Sequence, residues 1–412
     1  MAKQRVVIVG GGSGGDAAAF ALRKRGFDGE VTILSGDHDR PYDRPYLSKE
    51  FLRGEVELPK VYLHDEAEYE KQGIELRLDT NVTGGSLADK SLTLASGGQV
   101  DFDTLMLSLG GTPRWLPAVP HAENIFTLRS LHDSTTIKEA LQNAKRLLLV
   151  GAGFIGAEVG ASARVLGKEV LMVEAAPVPL SRALGDDVGH VYASIHRDHG
   201  VDVRTGTQVE DWHLDGDRVT DVSLTDGRRE EVDMVLLAVG IDPNLELPKA
   251  LNLPIEGPGV PADAALRAAD NVYVTGDIAL HHHPVLGRAI RVEHWEVAKN
   301  QGRGVAASIA AGSDIPYTKI PYFWSDQYDV NLEYRGHASG DDHAVWRGDR
   351  DGLRFSVFYL RDGVVDAVLS MNDKDGGEAG ARLIESRQKV DVKALSDSKV
   401  DLADLVPAAK SG

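Results

Sequence analysis

The stretch that decides the fold runs from Leu147 to Pro177 and reads LLLVGAGFIGAEVGASARVLGKEVLMVEAAP. Leu147 to Val150 is a short apolar run, as a strand buried on both faces should be. Gly151, Gly153 and Gly156 follow at GxGxxG spacing. The first glycine permits a sharp turn, and the second lets backbone approach a pyrophosphate. The third lets the next helix pack close to the strand. The start of that helix offers free N–H groups and the positive end of its dipole to phosphate. Val170 to Val173 gives a second strand, with Glu174 at its end. A carboxylate there, about 20 residues beyond the glycines, accepts both ribose hydroxyls of an adenine dinucleotide. It also repels a 2′-phosphate, so Glu174 favours NAD over NADP. A Gly-rich turn in an ordinary αβ unit accounts for the glycines but not for the strand, helix and acid around them.

The same unit occurs at the start of the chain. Arg5 to Val9 is a buried-strand run entering GGGSGG, where Gly10, Gly12 and Gly15 repeat the spacing. A helix follows from Asp16, a strand covers Val31 to Leu34, and Asp37 lies just beyond. One NAD needs one unit, so the other is free for a second dinucleotide, with FAD the obvious candidate.

A chain of 412 residues suits two or three domains. Its 42% hydrophobic and 26% charged residues are those of a soluble globular protein. No apolar run approaches the ~18–20 residues of a membrane span, and no signal peptide is visible. A cytoplasmic protein with no membrane partner is therefore expected. The net charge of −18 argues against nucleic acid and anionic lipid as partners. The chain has no cysteine, which excludes structural disulfides, a protein-held iron–sulfur cluster and a redox-active dithiol.

Between the two glycine units, RPYDRPYLSK (Arg40 to Lys49) reads as a loop or short capped turn whose cations include Arg44 and Lys49. Lys49, so soon after a nucleotide fold, points to a flavin-side role rather than plain surface charge. Short β-rich runs from Ile74 to Leu107 predict a meander, and Leu105 to Leu109 a buried strand ending at Gly110. The second unit then spans roughly Arg114 to Gly240, with its own meander around Val219 to Leu224. Gly240-Ile-Asp-Pro-Asn resembles the exit at Gly110, as a duplicated fold would. Val272 to Gly276 is a strand ending in Thr275-Gly276-Asp277, where Asp277 is placed to bind a ribityl hydroxyl or diphosphate region, or simply to cap the next turn. His281, His282 and His283 lack ligand-spaced partners, so a solvated loop and no metal is the expectation. A helix runs from Val292 to Ala311. Pro321-Tyr-Phe-Trp-Ser-Asp-Gln-Tyr places polar Ser325, Asp326 and Gln327 beside an aromatic cluster, odd for a core strand and suited to a flavin edge. From about Ser325, alternation over Val330–Tyr334, Leu353–Leu360 and Val364–Leu369 predicts antiparallel strands, followed by helices around Ala379 to Gln388 and near the C-terminus.

Taken together, GGGSGG at Gly10, RPYDRPYLSK at Arg40, GAGFIGAEVGASA at Gly151, VEAAPVPLSR at Val173, AVGIDPN at Ala238, TGDIA at Thr275, VEHWEVAKNQG at Val292 and PYFWSDQYD at Pro321 resemble the FAD-dependent NADH:ferredoxin reductases of bacterial oxygenase systems. This is the putidaredoxin reductase type, also represented by the ferredoxin reductase of biphenyl dioxygenase and related to apoptosis-inducing factor. The resemblance covers essentially the whole chain. It implies an α/β fold with two Rossmann-like, glutathione-reductase-like dinucleotide domains and a C-terminal α+β domain. Residues 1–113 and 241–324 would form the FAD domain, 114–240 the NAD domain and 325–412 the third. FAD would be held by Gly10, Gly12, Ser13, Gly15, Asp37 (where Glu is usual), Arg44, Lys49, Arg129, Gly276 and Asp277. NADH would be held by Gly151, Gly153, Phe154, Ile155, Glu174, Arg182 and Gly240. Glu293, His294, Trp295 and Trp324 would lie against the flavin, Lys49 and Glu158 would pair at its reactive edge, and Trp324 would be the electron exit.

The implied activity is transfer of a hydride from NADH to FAD, then of single electrons to a small iron–sulfur carrier: a [2Fe–2S] or Rieske ferredoxin, or a rubredoxin. The protein would be a monomer or homodimer. Absence of cysteine removes every disulfide-relay reading. An NADH oxidase or quinone reductase, or an NADH-sensing flavoprotein, stays open on the same scaffold. Three departures bear on this: Tyr46 for a usual proline, Leu107-Ser-Leu-Gly-Gly through Leu109 for Ala-Thr-Gly, and Met371-Asn-Asp-Lys-Asp375 for an Asn-Arg-Pro type of segment. The first two touch the flavin pocket and the third partner choice. An acidic carrier would need a basic patch, for which Arg335, Arg347, Arg350 and Arg354 are candidates, unless they are scattered solvated side chains.

Overall fold

The computed structural model describes residues 3–406, without the side chain of Arg182. Its first sheet has six strands, in the order Arg267–Ala269, Val272–Val274, Thr104–Leu107, Arg5–Val9, Glu30–Leu34, Ile74–Arg77. All neighbours are parallel except the first pair. Alternation in the central strand assigns its two faces. Val6 and Ile8 pack under helices Ser13–Lys24 and Trp295–Ala311, while Val7 and Val9 pack under the meander Val82–Asp101. Both faces are covered, which is why the strand reads as a continuous apolar run.

The second sheet repeats the plan with five parallel strands: Asp202–Thr205, Glu169–Glu174, Arg146–Val150, Met234–Leu237, Ile125–Thr127. Leu147 and Leu149 face one apolar cluster, and Leu148 and Val150 face the other, under a meander from Val209 to Glu231. The chain crosses between the units twice, where Gly111–Pro113 and Ile241–Pro243 pair antiparallel. The matching exits at Gly110 and Gly240 thus lead into one two-stranded ribbon.

The C-terminal sheet is antiparallel, in the order Tyr322–Gln327, Val330–Gly336, Val364–Met371, Arg354–Arg361, His343–Asp349, with helix Lys374–Ser386 against it. It begins at Tyr322, three residues ahead of the expected boundary, because the aromatic stretch pairs with the next strand through a turn at Tyr328, φ +57°. The strand His343–Asp349, with its charged and glycine content, is not evident from alternation.

Two expectations are corrected. The three histidines do not sit in a solvated loop: Ala279–His283 is a strand, with His281 and His283 buried and His282 exposed. Period-two alternation hides two imidazoles where composition alone reads as polar. The four arginines do not form one patch either. Arg335 and Arg347 lie on strands separated by two others, roughly 14 Å at ~4.8 Å per strand. Arg347 donates to the carbonyls of Leu395, Asp397 and Val400, pinning the C-terminal segment, and Arg350 stacks on Trp346.

Candidate functional site

The two glycine turns build the site. At Gly10 the backbone has φ +117°, and a Cβ would lie 2.1 Å from the Ser108 carbonyl oxygen. No L side chain is accommodated there. Gly15 brings the helix equally close, since its Cβ would stand 2.1 Å from the Gly10 oxygen. The second turn is built alike. Gly151 has φ +98° with a Cβ 2.5 Å from the Ala238 oxygen, and a Cβ on Gly156 would stand 2.3 Å from the Gly151 oxygen. Neither helix that follows, Ser13–Lys24 or Phe154–Val165, has a side-chain N-cap, so their first N–H groups lack capping partners.

Both N-termini open on one cleft of about 770 Å³. Gly10, Gly12, Ser13, Asp37, Arg44, Lys49, Gly276, Asp277, Glu293, His294, Trp295 and Trp324 line it from the first unit, its cover and the first C-terminal strand, and Arg129 reaches in from the second unit. Gly153, Phe154, Ile155, Glu158 and Gly240 line it from the second unit. Gly15, Gly151 and Glu174 stand behind the lining. The first two shape the turns, and Glu174 accepts from the N–H of Ala152 at 2.7 Å and of Ala176 at 2.8 Å. Asp37 accepts from Tyr42 Oη at 2.8 Å and the Asp39 N–H at 3.1 Å. The Arg182 side chain lies outside the described residues. Of the departures, Leu109 lines the cleft, whereas Tyr46 packs beside it in the apolar cluster.

At the centre, Lys49 Nζ sits 3.0 Å from Glu158 Oε2, both side chains under a tenth exposed. Ser48 Oγ shares that oxygen, and Ser325 Oγ donates to Glu158 Oε1 at 2.8 Å. Opposite charges and hydroxyl donors together offset the cost of burying both groups. Arg129 pairs with buried Asp277, whose turn is fixed by Gly276 N–H donating to Gln301 Oε1 at 2.7 Å. His294 is pushed down to about 3 by burial, reinforced by Lys49, so it is neutral. Its Nδ1 accepts the Glu296 N–H at 3.2 Å and caps the helix that starts at Trp295. Trp295 and Trp324 meet edge to face at 6.2 Å, and Tyr322 stacks on Trp324 at 5.9 Å. Arg335 lies over Tyr322. An aromatic column therefore runs from the cleft to half-exposed Tyr322.

Sequence reasoning did not name Ser48, Gln301 or Phe323 as site residues. Each lies inside a quoted motif, Ser48 and Phe323 beside residues that were named, but its contact is with another part of the chain. Among the described residues, Arg129 Nε, Thr275 Oγ1 and Trp295 Nε1 are buried without a hydrogen-bond partner. Gly12, in the lining, has no protein atom beyond its own chain neighbours within 4 Å of where a Cβ would stand. Orphaned donors, an uncapped helix start and a bare glycine are what a flavin dinucleotide requires of the first unit.

The sequence matches the pyridine nucleotide-disulphide oxidoreductase family over residues 4–302 and the reductase C-terminal domain over 322–406. It is 37% identical over 406 residues to the 5,5′-dehydrodivanillate O-demethylase ferredoxin reductase subunit of Sphingobium sp., covering 98% of each chain. The chain belongs to the ferredoxin reductases of the pyridine nucleotide-disulphide oxidoreductase family. It is 35% identical to the ferredoxin–NAD(+) reductase component of the p-cumate 2,3-dioxygenase system of Pseudomonas putida, over 97% of this chain and 98% of that one. Among solved structures, the reductase of the covalent putidaredoxin reductase–putidaredoxin complex superposes with a TM-score of 0.94 at 33% identity, covering 100% of both chains. The family is one of oxidoreductases that use FAD and NAD(H), and the cleft fits both. Unlike the relatives for which the family is named, this ferredoxin reductase has no cysteine and so no disulfide. No helix among the described residues is long and apolar enough to cross a membrane.

Proposed function

We propose that the protein is an NADH-dependent FAD flavoprotein reductase that passes electrons singly to a small iron–sulfur carrier serving an oxygenase. The carrier class is a [2Fe–2S] or Rieske ferredoxin, with rubredoxin the remaining choice. The observation that carries this reading is the convergence of two uncapped glycine-turn helices on one cleft, at a buried Lys49–Glu158 pair, in a chain without cysteine. NADH as donor makes the cytoplasm the setting of the same proposal.

The flavin, when bound, supplies the hydride-accepting ring and its capacity to release electrons one at a time. The protein's residues do the rest. Gly10, Gly12 and Ser13, with Arg44 and Asp277, hold the flavin dinucleotide in residues 1–113 and 241–324, and Arg129 reaches it from the second unit. Gly153, Phe154 and Gly240 hold the nicotinamide dinucleotide in residues 114–240, with Glu174 taking the adenine ribose. Ile155, 41% exposed on the described surface, is the apolar contact for a ligand that comes and goes. Lys49 and Glu158 bring one positive and one negative charge to the reactive edge, so a change of charge there meets a fixed partner. Trp324 and Tyr322 carry the path outward, and the sheet beginning at Tyr322 presents it to the carrier.

Anaerobic stopped-flow mixing of the yellow protein with NADH, then with a panel of iron–sulfur carriers, tests this. Fast bleaching, a preference for NADH over NADPH, and rapid reoxidation by one carrier are expected. Bleaching that only oxygen or a quinone reverses would replace the reading with an oxidase or quinone reductase. A long-lived reduced state that no acceptor discharges would make it an NADH sensor.

A further inference from the structure

Behind the Lys49–Glu158 pair runs a chain of buried polar groups that no step so far uses. Ser325 Oγ lies 2.8 Å from Glu158 Oε1, and Gln327 Nε2 lies 3.1 Å from Ser325 Oγ. Gln327 Oε1 is 2.9 Å from His196 Nε2, and His196 Nδ1 is 3.2 Å from Tyr328 Oη. Ser325, Gln327 and His196 are all at most 1% exposed, while Tyr328 is half-exposed and stacks on the exposed ring of His199 at 3.6 Å.

The direction of every bond follows from one end. The Glu158 carboxylate, paired with Lys49, is the acceptor at that end. Ser325 therefore donates to it and accepts from the Gln327 amide N–H. That leaves the Gln327 oxygen facing His196, so His196 Nε2 must carry a proton. A neutral imidazole then has Nδ1 free to accept from Tyr328. Burial lowers His196 to about 4, which agrees with the neutral ring. The donors all point one way, toward the carboxylate, and such a chain is polarised along its length.

The members come from three parts of the fold. Lys49 and Ser48 belong to the first unit, Glu158 and His196 to two helices of the second, and Ser325, Gln327 and Tyr328 to the edge of the C-terminal sheet. The other titratable groups near the pair are known. His294 and Asp43 lie near Lys49, and Tyr192, buried and raised by burial and then by Glu158, stays protonated. Asp326 is exposed on the strand between Ser325 and Gln327.

We propose that Tyr328, His196, Gln327 and Ser325 form a one-way hydrogen-bond chain that holds the Glu158 carboxylate oriented at the cleft, conditional on the C-terminal sheet being docked on the second unit. They are positioning residues, and the proposal rests on the reductase reading of the cleft.

The first test is ¹⁵N NMR of histidine-labelled full-length holoprotein, which needs neither NADH nor a variant. His196 is expected as the neutral Nε2–H tautomer across roughly pH 5 to 8, the range in which a free imidazole changes charge. An Nδ1–H tautomer or a titrating ring overturns the proposal. The second is the pH profile of flavin reduction by NADH in Ser325→Ala and Ser325→Thr. Losing one donor to a carboxylate is expected to raise the apparent pKa of the acid limb by about one unit, a roughly tenfold loss of rate on that limb. The alkaline plateau stays near wild type, and threonine restores the profile. Superimposed profiles from folded, flavin-replete proteins overturn the proposal. If NADH fails to bleach the wild-type flavin, the reductase reading falls while the tautomer still decides the chain.

Discussion

The two glycine-turn units are near copies in backbone and opposites in cover. Both place a positive-φ glycine first, begin a 12-residue helix at a glycine with φ near −75°, and bring the third glycine onto the oxygen of the first. In the first unit, helix Trp295–Ala311 lies so close to helix Ser13–Lys24 that a Cβ on Gly302 would stand 2.1 Å from the Gly14 oxygen. Ser13 is tied to the Trp295 carbonyl at 3.1 Å, and Ser13 to Asp16 are all buried. Among the described residues no helix lies across the second turn in this way: Phe154 meets Phe323, but Ile155 at the matching turn is exposed. One motif, covered, suits a resident cofactor, and the same motif, open, suits a substrate that must leave each turnover.

The largest break in that contrast is predicted for Gly302→Val, which forces the covering helix off the first. Overpacking against backbone costs about 1–3 kcal/mol, or roughly ten- to hundredfold in flavin affinity. The ratio of flavin to protein absorbance after desalting should fall accordingly, while NADH binding by the second unit persists. Retention of full flavin would mean that the cover does not hold it.

Gly156→Val applies the same insult to the open unit, where a Cβ would stand 2.3 Å from the Gly151 oxygen. Here KM for NADH should rise about tenfold or more with flavin content unchanged. If flavin is lost instead, the two units are not independent.

These contrasts also show where sequence is informative. The glycine turns are local, because the sign of φ and the closeness of helix to strand are demanded within a few residues, so both units and both acids can be read directly. Cover is not local. Arg129 meets Asp277 across 148 residues, and Ser325 meets Glu158 across 167. Serine, glutamine and histidine carry no signal of their own until folding sets them in a row. Ser325-Asp326-Gln327 stood out only as wrong for a core, without saying what it touched. The arginines of the C-terminal sheet misled for the converse reason: proximity in sequence does not survive strand order.

A smaller effect is predicted at the acids. Glu174→Ser removes a carboxylate already oriented by two backbone N–H groups. Losing charged hydrogen bonds of about 1.5–3 kcal/mol should narrow the kcat/KM preference for NADH over NADPH by about ten- to hundredfold. Asp37→Ser should loosen flavin and leave that preference unmoved. A preference unchanged in Glu174→Ser would assign the discrimination to another residue.

The smallest effect lies in the strand that follows Asp277 beside the first unit's cover. His281 is 1% exposed, and among the described residues neither ring nitrogen has a partner in good hydrogen-bond geometry, the Ile290 backbone being only a weak contact. Burial, then the neighbouring His283, lowers it to about 3. The unfolded chain therefore binds a proton below the ordinary histidine value of about 6.5 that the folded chain refuses. Folded stability is highest above that pH and declines as pH falls toward 3, by about 1.4 kcal/mol per pH unit for this group. His281→Leu removes both the unsatisfied nitrogens and the proton. It should stabilise the fold by about 1 kcal/mol at neutral pH, with an advantage over wild type that widens on acidification below about 6.5. Denaturant midpoints of both proteins at several pH values check this, and parallel curves would mean that another group sets the acid limit. The open unit has a buried histidine as well, but His196 is bonded at both nitrogens. Its replacement by leucine should destabilise, so the sign of the two substitutions separates an imidazole buried as filler from one buried as a wire.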